Sequence, residues 1–194
     1  APQTEEVQDI NEIIAVRRQK LEDLRADGKD PYEVVKYDVT ATAKDIFTNY
    51  SDYEGKTVSI AGRIMSRRIM GAAAFIELMD EKGRVQVYVK RDEICPGEDK
   101  ALYNTVFKKL LDIGDIIAIK GFAFVTQTGQ KSVHAKELTV LSKSLRVLPI
   151  VKEKDGEVFD AFSDPELRYR QRYVDLIVNP QVRETFMKRS KIIS

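Results

Sequence analysis

The chain has 194 residues, 43% apolar and 32% charged, which is enough for one domain with its own core plus extensions. Its 32 basic and 31 acidic residues leave a formal net charge of +1, which argues against a protein that coats nucleic acid electrostatically. The lone Cys95 excludes an internal disulfide, and no apolar run approaches the roughly 18 residues of a membrane span. We therefore expect a cytoplasmic protein.

The first element along the chain is a predicted helix over residues 4–25, ended by Gly28. Its apolar residues recur at helical spacing: Val7, Ile10, Ile14, Leu21 and Leu24. Its other face is charged and includes Arg17, Arg18, Lys20 and Arg25. Such a face is usually solvated, and the alternative is a basic edge beside an RNA groove. A connector with one short helix near residues 43–50 then leads to the strands.

Three strands are predicted over residues 56–70, 73–80 and 84–90. In the second and third, one face is apolar and carries Ala74, Ile76, Leu78, Val85, Val87 and Val89. The opposite face carries Phe75, Glu77, Arg84, Gln86, Tyr88 and Lys90. The two strands therefore share a core on one side and expose an aromatic ring among polar groups on the other.

The second half of the predicted domain is a helix over residues 96–111 and strands over 115–126 and 131–142. The apolar positions of the last strand change parity between Ala135 and Leu138, which predicts a bulge near Lys136 or Glu137. Three strands, a helix and two strands are the order of an OB-fold. We therefore predict a mainly β fold, a five-stranded OB-fold barrel with an N-terminal helix and a helix between strands 3 and 4.

The segment after Ser142 changes in character. Residues 145–163 read as a linker, and Asp164-Pro165 is a strong helix opening. A second helix follows Asn179-Pro180 and ends in mid-pattern, which suggests a truncated chain. The predicted parts are an N-terminal helix and connector (1–55), the barrel (56–144), the linker (145–163) and the start of another domain (164–194).

The outer face of the hairpin predicts single-stranded RNA binding. Phe75 offers a flat surface for a base, Gln86 can donate and accept hydrogen bonds at its edge, and arginines of the preceding strand can meet phosphates. These arginines are Arg63, Arg67 and Arg68. Strict alternation places Arg63 and Arg67 on this face, and presenting Arg68 requires a bulge or a strand end. With a single histidine and a single cysteine, no His/Cys metal site is expected.

Five segments, in order, resemble class II lysyl-tRNA synthetases: GRIMSRRIMG, FIELMDEKGRVQVYVKRD, LLDIGDIIAIKG, TQTGQKSVHAKELTVLSKSLRVLP and DPELRYRQRYVDLI. The resemblance implies an anticodon-binding domain in which Phe75 stacks on a middle uridine, and Gln86 and Arg68 bond its edge or neighbouring groups. It implies that Glu137 contacts an adjacent anticodon base. Ala72 stands where such proteins often have a lysine, so one backbone cation is lost.

The same resemblance implies the activity of a whole enzyme. That enzyme activates lysine with ATP and Mg²⁺, transfers it to lysine tRNA, and is expected to be a homodimer. The second and third class II motifs are absent and the first only begins at 186–194, so residues 164–194 are expected to be the start of a truncated class II catalytic domain. We therefore expect this fragment to bind tRNA without cofactor and without catalysis. The alternatives are an aspartyl or asparaginyl anticodon-binding domain and a stand-alone OB-fold that binds single strands. The latter would favour more aromatics on the binding face and a higher positive charge.

Overall fold

The computed structural model describes residues 3–149, 152–154, 157–159 and 162–194, with side chains described over 10–149 and 162–194. The chain divides into two compact units, one up to Val147 and one from Leu148 onward.

The N-terminal helix α1 spans Gln3–Ala26, which confirms the predicted helix to within one residue. Leu21 and Leu24 are buried as the periodicity predicts, whereas Val7 lies outside the described side chains. Two short helices follow, α2 over Ala43–Thr48 and α3 over Tyr50–Tyr53.

The charged face of α1 is not solvated throughout, contrary to the reading favoured from sequence. Arg17 is buried, and its guanidinium donates to the carbonyls of Ile113, Ser144 and Arg146 at 3.2, 2.8 and 3.0 Å. Lys20 lies 2.6 Å from a carboxylate oxygen of Asp112. These contacts hold the helix against the loops at one end of the barrel, because carbonyls outside the strand ladder still need donors.

The barrel has five strands: β1 Thr57–Met70, β2 Ala73–Met79, β3 Arg84–Lys90, β4 Ile116–Val125 and β5 Lys131–Ser142. They close in the order β1-β2-β3-β5-β4, with β3 and β5 parallel and the other pairs antiparallel. The interior is filled by the alternating apolar positions predicted for the hairpin, each at most 3% exposed. The predicted five-stranded barrel is confirmed.

A bulge in β1 changes which arginine faces outward. The register of β1 against β2 shifts between Ile64 and Ser66, which leaves Met65 as an extra residue. Ile64 and Met65 are both buried. Since a bulge reverses the alternation beyond it, Arg68 rather than Arg67 takes a place on the outer face.

A second bulge confirms the one predicted in β5. The register of β4 against β5 shifts between Lys120 and Gly121, which leaves Lys136 as the extra residue. A Cβ atom at Gly121 would lie 1.9 Å from the carbonyl oxygen of His134. Only glycine allows the two strands to approach this closely at the bulge.

The helix between β3 and β4 is present but shorter than predicted over 96–111. The structure has α4 over Arg91–Ile94 and a π-helix over Leu102–Leu110. Pro96 disfavours helical geometry at Cys95, whose φ and ψ are −130° and 74°. The helical path is therefore interrupted and resumes only after the Pro-Gly step.

The second unit begins with an antiparallel hairpin, β6 Lys152–Lys154 and β7 Glu157–Phe159. The expected linker at 145–163 includes this hairpin, and part of that segment, 150–151, 155–156 and 160–161, lies outside the described residues. Three helices follow: α5 Pro165–Arg170, α6 Arg172–Val178 and α7 Pro180–Ile193.

The start of α5 is capped as the sequence predicts, with Asp164 accepting from the backbone of Leu167 at 2.8 Å. The helix predicted to open at Asp164-Pro165 is interrupted at Gln171, and α6 begins directly after it. Asp175 of α6 is buried and accepts from Arg168, Arg172 and Asn179. The arginines at 168 and 172 therefore hold a buried carboxylate within this unit. The assignment of 164–194 to the start of a catalytic domain stays a prediction.

Candidate nucleic-acid interface

A groove on the outer face of β1, β2 and β3 brings together three of the predicted site residues. Phe75 lies on β2 directly opposite Arg68 of β1 and Tyr88 of β3. Gln86 lies on the neighbouring row of β3. The groove is lined by Arg68, Met70, Ala73, Phe75, Gln86, Tyr88, Phe124, Thr126, Gln127 and Thr128. One side chain for stacking, one amide and one cation therefore share a single concave surface.

Arg68 supplies the positive charge of this groove. Its side chain is exposed near the end of β1, where the bulge at Met65 has turned it outward. Within the part of the chain that the structure describes, its guanidinium has no ion-pair partner. In contrast, two lysines near this face form ion pairs, Lys90 with Glu93 and Lys120 with Glu137. Arg68 is thus available to a phosphate or a base edge.

The structure does not bring Arg63 and Arg67 to the groove. Arg63 donates to the carbonyl of Gly114 at 2.7 Å, and Arg67 donates to Phe107 and Leu111 at 2.6 and 2.9 Å. Arg67 thereby satisfies carbonyls at the C-terminal end of the π-helix. Burial lowers the pKa of both guanidinium groups, and nearby aspartate charge opposes that shift. Both arginines serve the barrel itself.

Glu137 lies on the outer surface beside the β5 bulge and outside the lining of the groove. Its side chain is 67% exposed and pairs with Lys120 of β4 at 3.2 Å. An exposed pair of this kind adds little to stability, so its carboxylate can exchange Lys120 for another donor at small cost.

An aromatic row extends the surface beyond what the sequence analysis singled out. The ring of Tyr88 lies 5.0 Å from Phe75, 6.3 Å from Phe124 and 5.0 Å from His134. Phe122 stacks on His134 at 4.8 Å with an interplanar angle of 29°. The signal was present in the alternation of the fourth strand, where two phenylalanines two residues apart share a face.

His134 sits in this row next to a charged cluster. Its Nε2 atom lies 3.3 Å from a Glu93 carboxylate oxygen without an aligned hydrogen bond. Burial lowers the pKa of His134, while the Glu93 charge opposes that shift. The hydrogen bond from Lys136 holds the pKa of Glu93 below its usual value. The imidazole is therefore neutral at neutral pH and acts as part of the aromatic surface.

Residues 58–141 match the family of OB-fold nucleic acid binding domains. The barrel is an OB-fold. The groove lies on its second and third strands, the face through which OB-folds bind oligonucleotides. Its position thus agrees with the general use of this fold.

Three relatives extend the similarity beyond the OB-fold, and each is a lysine–tRNA ligase. The protein from Porphyromonas gingivalis W83 is 57% identical over 96% of this chain and 33% of its own length. The proteins from Azobacteroides pseudotrichonymphae and Christiangramia forsetii are 55% and 52% identical over 92% and 97% of this chain. The chain spans about a third of the length of these curated relatives.

The described residues do not meet the requirements of a membrane-spanning helix or of a metal site with three or more His, Cys, Asp or Glu ligands. Of the helices in the described ranges, none combines the length and apolar character needed to cross a membrane. The same ranges contain no group of three or more His, Cys, Asp or Glu side chains arranged to hold a metal ion.

Proposed function

We propose that this OB-fold binds the anticodon loop of a tRNA as the RNA-reading part of a lysine–tRNA ligase. The observation that carries the proposal is the meeting of Arg68, Phe75 and Gln86 in one groove. The identity of more than half of all aligned residues to three lysine–tRNA ligases supports the choice of tRNA.

Each groove residue has a distinct role in this proposal. Phe75 stacks on the middle base, and its packing against Tyr88 keeps the ring from collapsing into the groove. Gln86 bonds the Watson–Crick edge of that base. Arg68 meets a phosphate or a neighbouring base edge, and Glu137 accepts a hydrogen bond from an adjacent anticodon base.

The reaction belongs to the longer protein in this proposal. That protein activates lysine with ATP and Mg²⁺, transfers it to its tRNA in the cytoplasm, and is a homodimer. This chain contributes tRNA binding, since the second and third class II motifs are absent from its sequence.

A second candidate is a stand-alone module that binds single strands without sequence preference. The aromatic row of Tyr88, Phe122, Phe124 and His134 favours it, because stacking on several rings tolerates any base. The net charge of +1 disfavours it. An aspartyl or asparaginyl domain is the less favoured alternative, because the three relatives compared are lysine enzymes.

A binding titration separates these functions. The 194-residue chain is titrated into a labelled stem-loop RNA with UUU in its loop, a matched stem-loop with UCU, and an unstructured oligonucleotide of equal length. Anticodon reading predicts the tightest Kd for UUU. Equal Kd values for all three RNAs would favour the non-specific module instead.

A further inference from the structure

We infer that Ser132 is a positioning residue that orients the Gln86 amide and thereby sets the preference of the groove for uridine over cytidine. The inference rests on the proposed function, in which Gln86 bonds the edge of the middle base. Ser132 itself lines no part of the groove and is completely buried.

The fold places Ser132 directly beside Gln86. The two residues are partners in the parallel pairing of β3 with β5. The Ser132 hydroxyl donates to Gln86 Oε1 at 2.9 Å. In the described residues, Gln86 Nε2 has no hydrogen-bond partner. The carbonyl oxygen of the amide thus accepts from the buried Ser132 hydroxyl, and the N–H₂ group is left for a ligand.

Two acceptors compete for the single hydroxyl proton of Ser132. Ser132 Oγ also lies 3.2 Å from the carbonyl oxygen of Gln130, and one hydroxyl proton cannot serve both fully. That carbonyl already accepts from the backbone of Thr126 at 2.9 Å. Donation to Gln86 therefore satisfies an oxygen that otherwise lacks a partner.

The amide orientation has a chemical consequence for the base. Uridine presents a carbonyl oxygen where cytidine presents an amino group. An amide whose N–H₂ points into the groove donates to the uridine oxygen and meets the cytidine amino group donor to donor. If the amide turned around, its oxygen would accept from cytidine instead, and Nε2 would donate to Ser132 Oγ. The hydroxyl proton would then go to the Gln130 carbonyl, which lies farther away at 3.2 Å and already accepts from Thr126, in place of Gln86 Oε1 at 2.9 Å. The observed orientation therefore gives the hydroxyl its better acceptor.

The test is a double-mutant cycle in the full 194-residue chain, with the UUU and UCU stem-loops as probes. We expect Ser132→Ala to lower the UCU-to-UUU ratio of Kd values by roughly 3- to 10-fold, the worth of one hydrogen bond. In a Gln86→Ala background the same change should leave the ratio within about 2-fold, because the amide that it orients is gone. Ser132→Cys fills the site with a much weaker donor and should also lower the ratio.

The outcomes separate the inference from the proposed function. A wild-type chain that binds both stem-loops alike overturns both. A wild-type chain that prefers UUU, with the preference intact in folded Ser132→Ala or Ser132→Cys, overturns the role of Ser132 alone. An equal fall of the ratio with and without Gln86 would also overturn it, because Ser132 would then act through packing. Circular dichroism establishes that each variant is folded, and Ser132→Cys replaces Ser132→Ala if the latter unfolds.

Discussion

The most direct test of the groove is the replacement of Phe75 by alanine. If the ring stacks on the middle base, its loss removes about 1–3 kcal/mol of binding free energy. At about 1.4 kcal/mol per tenfold, this corresponds to roughly a 5- to 150-fold weaker Kd for the UUU stem-loop. Phe75→Tyr keeps the ring face and should lose little affinity.

The cost to folding should be smaller, because Phe75 is half-buried and outside the barrel interior. Its main ring contact is with Tyr88 at 5.0 Å, and such a pair contributes about 0.5–1.5 kcal/mol. Urea unfolding should therefore show a folded domain with a modest loss in free energy of unfolding.

A matched control is Phe122→Ala, which removes an equal ring from the same outer face but outside the groove lining. Stem-loop affinity should change much less than for Phe75→Ala. If folded Phe75→Ala binds UUU as tightly as wild type, Phe75 is not the stacking surface and the groove is misassigned. If both alanine variants weaken binding equally, the whole aromatic row binds the bases, which favours the non-specific module over a reading groove.

Three further predictions follow from the charged groups and from the proposed division of labour. If Arg68 meets a phosphate, Arg68→Ala should weaken binding of all RNAs alike and reduce the slope of log Kd against log salt by about 0.7–1. An unchanged salt slope would refute the phosphate contact. The contrasting variant Arg67→Ala should instead lower the midpoint of urea unfolding, because it leaves two carbonyls without their donor. Burial lowers the pKa of His134, so the folded state binds fewer protons than the unfolded state. The free energy of unfolding should therefore fall as pH drops below about 6.5 toward the folded pKa. Urea unfolding at several pH values measures this effect, and His134→Phe should lose this part of the pH dependence. The chain alone should give only background ATP–pyrophosphate exchange with lysine, and clear exchange would show that the catalytic site has been misplaced.

The sequence determined the strands, the barrel and the outward-facing positions of two proposed site residues. Period-2 alternation in the hairpin places Phe75 and Gln86 on the outer face, and the structure agrees. The parity change after Ala135 revealed the β5 bulge. These features are local, since each depends on the spacing of apolar residues within one strand.

Tertiary structure alone decided which charges remain free. Strict alternation favoured Arg67 for the outer face, but the bulge at Met65 exchanges it with Arg68, and no break in the local pattern marks that extra residue because both Ile64 and Met65 are apolar. Arg17 looked solvated until the fold placed three carbonyls around it.

The contact between Ser132 and Gln86 likewise joins residues 46 apart in sequence. The physical reason is common to these cases. The spacing of apolar residues along a strand predicts which side chains face the core. A hydrogen bond instead depends on which distant backbone or side-chain group the closed barrel brings within about 3 Å.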